Sequence, residues 1–532
     1  MSTVNTAFPP ARDWDILVIG GGITGAGVLL EAARRGLKAL LVEQNDFAWG
    51  TSSRSSKLVH VGLRYLSAGS MRLTRAAVRE REALLRAAPG LVEPQGFAFA
   101  SPGAELARRP GFLAVLRLVD MLAGRSEPRW ERPQSLRTPA SGAGTATGTD
   151  IPRQPDGIRY TDAKTDDARL VLRVLEEARS HGAVTLNYVT VQALVRDGGK
   201  VHGAMLRDER SKAEYAVRAR VVINATGAWS DLPGSADAPG QGHGARMRPL
   251  RGSHLVLPSW RLPLTQAVSL LHPADGRPVF AFPWEGVTLV GTSIVDAGES
   301  LSREARITRQ EVDYLVAALN AQFPQLELGD ADVLATFAGV RPVLADGDAT
   351  PRESAAMHEH LVWSEPGLVS VVGGRLTTFR TIALDVLRQA ALQIPAWQFS
   401  AERGPVFARV PVPPRPDVAP GVLRRLAGRH GQQAAALLKS ARAGELECIP
   451  GTETLWAELR WAARAEQVHQ LDDLLLRRTR LGIQLAGGGS ALLARIRAIC
   501  QPELAWSDAR WEGEEKRYLA NWQRQHGMPA ED

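Results

Sequence analysis

The stretch from Asp15 to Glu43 constrains this chain more than any other. Asp15 to Ile19 is a short apolar run with β-branched residues, which predicts a buried strand. Gly20-Gly21-Gly22-Ile23-Thr24-Gly25 follows, and Ala26 to Arg35 reads as a helix with an apolar face. Leu37 to Val42 predicts a second strand, closed by Glu43, 23 residues after Gly20. Each residue type has a task in a dinucleotide-binding unit. Gly20 permits the tight turn, Gly22 lets the backbone approach a pyrophosphate, and Gly25 lets helix and strand pack closely. The helix N-terminus faces the negative charge. A carboxylate at Glu43 accepts hydrogen bonds from the hydroxyls of an unphosphorylated ribose. Loops use glycine freely, so the triplet alone is weak evidence. Strand, glycines, helix, strand and acid in this order are specific.

The bulk composition narrows the class. A chain of 532 residues holds two or three domains, and 44% hydrophobic with 23% charged residues is ordinary for a globular protein. No apolar run reaches the roughly 18 residues of a spanning helix. Met1 to Arg12 lacks the apolar core of a secretory signal. Cys448 and Cys500 fit neither a disulfide framework nor a metal motif, so no metal is expected and a reducing, cytoplasmic compartment is. The net charge of +7 has two open readings, solubility or attraction to an anionic lipid or substrate. No zinc finger, RNP-like motif or dense basic tail is present, so nucleic acid is excluded as a partner.

Residues 14–402 mix strand-like and helix-like runs, 403–421 form a Pro-rich linker, and 422–532 read as helical. The first part is expected to interleave two domains. Nucleotide-binding segments are placed at about 14–70, 160–235 and 335–400, and substrate-domain segments at about 71–159 and 236–334. Val221 to Gly227 predicts the next nucleotide-domain strand, and Leu368 to Val372, ending in Gly373-Gly374, predicts a second strand–glycine–helix corner. Leu455, Trp456, Leu459, Trp461 and Ala462 have helical spacing and read as packing core.

Further motifs go beyond a generic nucleotide fold. Thr51-Ser52-Ser53-Arg54-Ser55-Ser56-Lys57-Leu58-Val59-His60-Val61-Gly62-Leu63-Arg64-Tyr65-Leu66 closely resembles a motif of FAD-dependent glycerol-3-phosphate dehydrogenases, the aerobic, quinone-linked type. Tyr160-Thr161-Asp162, Asp166 to Leu170, Asn224 to Trp229, Arg251 to His254 and Phe282 to Trp284 are similar to the same family. So are Gly291-Thr292, Gly339 to Pro342, Arg352-Glu353, Gly373 to Arg380 and Arg477 to Gly482. The resemblance covers almost the whole chain in order. It implies an α/β fold: a glutathione-reductase-type, Rossmann-like FAD domain interleaved with a mixed-sheet substrate domain, followed by an α-helical C-terminal domain. It also implies FAD as cofactor and hydride transfer from sn-glycerol 3-phosphate, giving dihydroxyacetone phosphate. Quinone as acceptor and attachment to the inner face of the cytoplasmic membrane are implied as well. A homodimer is among the assemblies open to it.

The residues divide by task. Gly20, Gly22, Gly25 and Glu43 are expected to hold the adenosine and diphosphate half of the cofactor. Thr51, Ser52, Ser53, Gly227, Gly374, Leu376, Thr377 and Thr378 are expected near its phosphates and flavin. The corner at Gly373 to Thr378 would set a helix N-terminus against the anionic edge of the ring, although Thr377 also reads as a simple helix cap. A substrate phosphate needs fixed cations with a planar fork, and Arg64, Arg341, Arg352 and Arg375 lie in matched motifs. Tyr65 is a candidate hydrogen-bond partner for substrate. The alcohol proton needs a base, and His254 is the first candidate, with His60 the second.

Four departures from the family pattern bear on substrate. Val61 replaces a usual glycine, Arg375 a usual lysine, Ile294 an acidic residue and Pro351 a hydroxyl residue. They leave room for another hydroxy or amino substrate, or for a flavin-binding protein without turnover. Arg108 to Leu122 is the candidate interfacial helix, apolar with flanking arginines; packing against the domain is the alternative.

Overall fold

A computed structural model describes residues 13–60, 71–99, 110–124, 130–131, 159–229, 245–297, 304–346, 360–395, 397–411 and 415–530. Its first strand, Trp14–Ile19, lies between two parallel neighbours, Ala39–Glu43 and Glu214–Asn224, with Ile16 opposite both Ala39 and Val221. The path continues outward to Val184–Asn187 on one side, and to Leu368–Gly373 and His360–Glu365 on the other. Such strands are apolar throughout because both faces are covered. Ile16 and Val18 point to one face, where Val28 and Leu29, Val171 and Leu175, and Val386 and Leu387 pack from three helices. These are Ile23–Ala33, Asp167–Ser180 and Phe379–Ala391. Leu17 and Ile19 point to the other face, against Leu194, Val201 and Leu206 of the antiparallel pair Val189–Asp197 and Lys200–Asp208.

A second sheet is built on the long strand Ala245–Pro258, which pairs antiparallel with Ala335–Asp346 on one side and Val287–Gly291 on the other. Pro278–Trp284, Ala267–Leu271, Val92–Phe99 and Arg159–Thr165 extend it. Two of these strands depart from the sequence expectation. Residues 160–165 and 335–346 fall in segments assigned to the nucleotide part, yet they pair in the second sheet. Period-2 apolar runs report burial on one face but not which sheet supplies the neighbour.

The second sheet also has two covered faces. Leu255, Leu257 and Val290 meet Val312, Leu315 and Leu319 of the helix Arg309–Gln322. Val256, Phe282, Trp284 and Phe337 meet Trp456, Leu459, Leu474 and Leu475 of the C-terminal part. The helices there include Pro420–His430, Trp456–Ala465, Leu493–Leu504 and Asp508–Gln525. The coil before them is no free tether, since Val406 and Phe407 are buried in the first core and Arg34 donates to the Val406 carbonyl at 2.6 Å.

Buried ion pairs fasten these C-terminal helices to the nucleotide sheet. Asp46, fully buried, accepts two hydrogen bonds from Arg478 at 2.6 and 2.8 Å and another from Arg477. Arg169 grips Glu466 through two bonds at 2.7 and 2.8 Å, and Arg429 donates to Asp166 at 2.7 Å. Burial works to raise the Asp46 pKa, but Arg478 and Arg477 overcome it and hold the carboxyl well below its ordinary value. Breaking one side of such a pair leaves an uncompensated buried charge, which costs about 3–5 kcal/mol. Arg478→Met is therefore expected to lower unfolding free energy by about 3 kcal/mol in denaturant titration; a loss of a few tenths would show that the network contributes little.

Candidate active site

The glycine-rich turn forms a cradle that side chains would fill. Gly20 has φ +111°, and a Cβ there would lie 2.6 Å from the Ala225 carbonyl oxygen. A Cβ on Gly25 would lie 2.0 Å from the Gly20 carbonyl oxygen, so first strand and first helix pack backbone to backbone. The Glu43 carboxylate is held by backbone donors, Gly21 N–H at 2.7 Å and Asn45 N–H at 2.9 Å. Burial pushes its pKa up while these donors oppose the rise. Acceptor capacity remains on both oxygens, suited to two hydroxyl donors. Ile23 N–H, at the open end of the first helix, donates to Ser52 Oγ at 3.0 Å. These residues fit the ribose and diphosphate of a dinucleotide.

A second helix N-terminus opens at the same end of the sheet. The strands Trp14–Ile19 and Leu368–Gly373 both run parallel to Glu214–Asn224, so the helices that follow them start at one shared edge. A Cβ on Gly27 would lie 2.7 Å from Phe379 Cδ2, which puts the two helices in near contact. Arg380 pairs with Glu31 across them at 2.8 Å. Gly373 and Gly374 take φ +80° and +90° before the turn Leu376–Thr378. Thr377 donates its hydroxyl to the His60 carbonyl at 3.3 Å. Gly227, φ +66°, opens the turn Gly227–Trp229 after the neighbouring strand.

The turn Thr51–Ser53 lies directly on the second sheet. Thr51 Oγ1 donates to the Val340 carbonyl, and a Cβ on Gly339 would meet the Arg54 carbonyl oxygen at 2.6 Å. Opposite Gly339 in the ladder stands Gly252, so the sheet has a bare step where the loop rests. His254, Phe337 and Arg341 share this face by strand alternation. His254 is paired with Phe337, and Arg341, opposite Leu250, stands four residues along, about 13 Å away. Ser253 points the other way, to Glu311 at 2.8 Å.

His254 is 2% exposed. Its ring stacks on Phe337 with centroids 4.6 Å apart, and Nε2 lies 3.0 Å from Ser56 Oγ. Burial, then the nearby Lys57 charge, push its pKa down to about 3. The imidazole is neutral in this arrangement, and its Nδ1 is buried with no hydrogen-bond partner among the described residues. Lys57 was not singled out from sequence, yet its ammonium is wholly buried 3.1 Å from Asp167 and 4.5 Å from the Phe337 ring centre. The available signal was a lone lysine set against Leu58-Val59, with its partner acid 110 residues away. Arg341 and Arg375 are half-buried, Arg341 in mid-strand opposite Leu250 and Arg375 just past the strand Leu368–Gly373. Arg64, Tyr65 and Arg352, with Val61 and Pro351, lie outside the described residues.

The interfacial candidate is described from Pro110 to Leu122. Leu116 and Val119 are buried, Val119 against Val78 of the helix Met71–Ala87, while Ala114, Arg117 and Met121 are exposed. The helix thus packs by its apolar side. Among the described residues no helix is long and apolar enough to cross a membrane.

Comparisons with known proteins agree with this architecture. A family model described as FAD dependent oxidoreductase matches residues 15–380, and one for the C-terminal domain of alpha-glycerophosphate oxidase matches 386–511. The chain is 34% identical over 527 residues to glycerol-3-phosphate dehydrogenase 2 of Mycobacterium tuberculosis, covering 96% of this chain and 88% of that protein. It is 36% identical over 389 residues to the aerobic glycerol-3-phosphate dehydrogenase of Bacillus subtilis, covering 71% and 66%. The glycerol-3-phosphate dehydrogenase of Bacillus halodurans, solved with FAD, superposes with a TM-score of 0.69 at 26% identity, covering 98% of this chain and 96% of that one. If the cradle holds a dinucleotide, Glu43→Gln should weaken FAD binding roughly 10- to 100-fold through the lost charged acceptor. Fluorescence titration of the apoprotein measures this, and unchanged affinity would remove Glu43 from the site.

Proposed function

The chain belongs to the FAD-dependent oxidoreductase family, among its glycerol-3-phosphate dehydrogenases, and from that membership we propose that it binds FAD and oxidises sn-glycerol 3-phosphate to dihydroxyacetone phosphate, with a membrane quinone as final acceptor. The observation that carries the reading is that the Thr51–Ser53 turn bridges the glycine cradle and the second-sheet strands that carry His254 and Arg341. Bound FAD would supply the two-electron acceptor for the hydride. Gly20, Gly22, Gly25 and Glu43 would hold its adenosine diphosphate half, and Thr51, Ser52, Ser53, Gly227, Gly374, Leu376, Thr377 and Thr378 would line the rest.

Arg341 and Arg375 supply planar guanidinium forks for the substrate phosphate, with Arg64 and Arg352 as further candidates from sequence. Tyr65 is a candidate donor to the substrate. His254 has one nitrogen, Nδ1, without a hydrogen-bond partner among the described residues, to receive the alcohol proton. A neutral imidazole beside a lysine is a weak base in the free protein. A phosphate dianion bound to the arginines adds negative charge nearby, opposes the Lys57 field and raises the affinity of Nδ1 for a proton. Proton uptake is thereby tied to the presence of the anionic substrate.

Membrane attachment is the accompanying proposal. The helix Met71–Ala87 exposes Arg72, Arg75, Arg79 and Arg86 along one side, a pattern suited to anionic headgroups. Co-sedimentation with phosphatidylglycerol vesicles should be strong at low salt and lost when these four arginines become glutamine; equal pelleting of that variant would refute the assignment.

Anaerobic mixing of the FAD-loaded protein with glycerol 3-phosphate should bleach the oxidised flavin band. Bleaching by another alcohol or an amine alone would move the substrate elsewhere. Arg341→Ala should raise the substrate requirement roughly 10- to 100-fold with FAD still bound. His254→Gln should slow flavin reduction by roughly 10²-fold or more, and an unaltered rate excludes it from proton transfer.

A further inference from the structure

Two buried cations meet at one carbonyl oxygen beneath the cofactor turn. Lys57 Nζ donates to the Ser53 carbonyl at 3.1 Å, and Arg480 Nη2 donates to the same oxygen at 2.8 Å. Lys57 is 0% and Arg480 2% exposed. Both residues hold left-handed backbone, φ +54° and +66°, which non-glycine residues keep only where the surroundings enforce it. Ser53 is joined to Ser52, whose hydroxyl meets the N-terminus of the first helix, so the pinned carbonyl fixes which way the turn presents its amides.

Two carboxylates lie against these cations. Asp167 is the shared counter-ion, 3.1 and 3.2 Å from Lys57 and 3.3 Å from Arg480, and its second oxygen also accepts from Ser55 N–H and Oγ. Asp166 offers a second carboxylate, 3.7 Å from Arg480 Nε and 2.7 Å from Arg429, which Glu285 and Glu458 also partner at 3.4 and 3.9 Å. Arg54 is paired with Glu304, and Arg477 and Arg478 with Asp46 and Asp473. Of these charged groups, Lys57 and Arg480 are the two whose side chains donate to the Ser53 carbonyl. The remaining faces are aromatic: Trp284 lies 5.3 Å and Phe337 4.5 Å from Lys57.

We propose that Lys57 and Arg480 are positioning residues for the cofactor: they pin the Thr51–Ser53 turn through the Ser53 carbonyl and set their two positive charges directly behind it, which favours the electron-rich state of a bound flavin. A buried charge is weakly screened, so it acts on a redox group at the same turn. Arg480 comes from the C-terminal helices, so their docking sets the flavin's affinity for electrons. This rests on FAD binding at the turn, as proposed above.

The test is the midpoint potential of the bound flavin, measured by equilibration with a reference dye, alongside FAD affinity of the apoprotein. Lys57→Met removes one cation beside the turn and should lower the reduction equilibrium about tenfold, equivalent to 30 mV for a two-electron couple. Asp167→Asn removes one anion there and should raise it by a similar factor. In the double variant Lys57→Met/Asp167→Asn the two changes cancel, and it should return near the wild-type potential. Arg480→Lys keeps the charge while shortening the reach to Ser53, so it should weaken FAD binding more than it moves the potential. A purely structural role would lower affinity or melting temperature without opposite signs. Single variants that shift the potential in the same direction, or by less than threefold, overturn the proposal. If Lys57→Met does not fold, Asp167→Asn alone decides, and a fall or no change overturns it. Wild-type protein that takes up no FAD overturns the underlying reading and this inference with it.

Discussion

A carboxylate in a protein interior persists as an ion only when cations and hydrogen bonds replace the water it lost, and at Asp46 that replacement comes from the far end of the chain. Arg478 lies 432 residues away in sequence and meets both of its oxygens. Asp166 and Asp167, at the start of a nucleotide-domain helix, find Arg429 and Arg480 in the same way. Neither side of these contacts is tolerable alone, because either half would be a buried charge without a partner. The C-terminal helices are therefore part of the nucleotide domain's electrostatic balance, and the loop that approaches the cofactor site is held by that balance.

The second sheet does its work by alternation. On the strand Ala245–Pro258, Ser253 faces inward to Glu311, which also binds Ser293 and Arg251 and so ties the strand to the helix Arg309–Gln322. His254, one residue on, faces the opposite side, where Phe337 stacks on it and Ser56 meets its Nε2. Between His254 and Arg341 the paired glycines Gly252 and Gly339 leave no side chains; the Arg54 backbone lies against Gly339 and the Thr292 hydroxyl against Gly252. A rigid strand thus spaces His254 from Arg341, the proposed proton acceptor and the proposed phosphate ligand, and the Thr51–Ser53 turn rests on the strand that carries Arg341.

Charge links these parts. Lys57 touches the Asp167 carboxylate and the Ser53 carbonyl and faces Phe337, while its field weakens the base at His254. On the proposed reading, a bound anionic substrate would oppose that field and help the imidazole take a proton.

The sequence by itself determined the nucleotide-binding unit. Strand, glycines, helix and Glu43 are contiguous, and each answers a local steric or hydrogen-bonding need that is visible in residue type. It also located His254 and Arg341 within short motifs, and it marked residues 422–532 as helical through apolar spacing. Only the tertiary structure assigned the strands at 159–165 and 335–346 to the second sheet, since an amphipathic strand does not name its neighbour. Only the fold could show that Lys57, Asp167 and Arg480 share one buried cluster, that His254 is neutral there, and that the C-terminal helices reach the cofactor turn. Those facts depend on pairing and desolvation between residues hundreds of positions apart, and no local pattern encodes either.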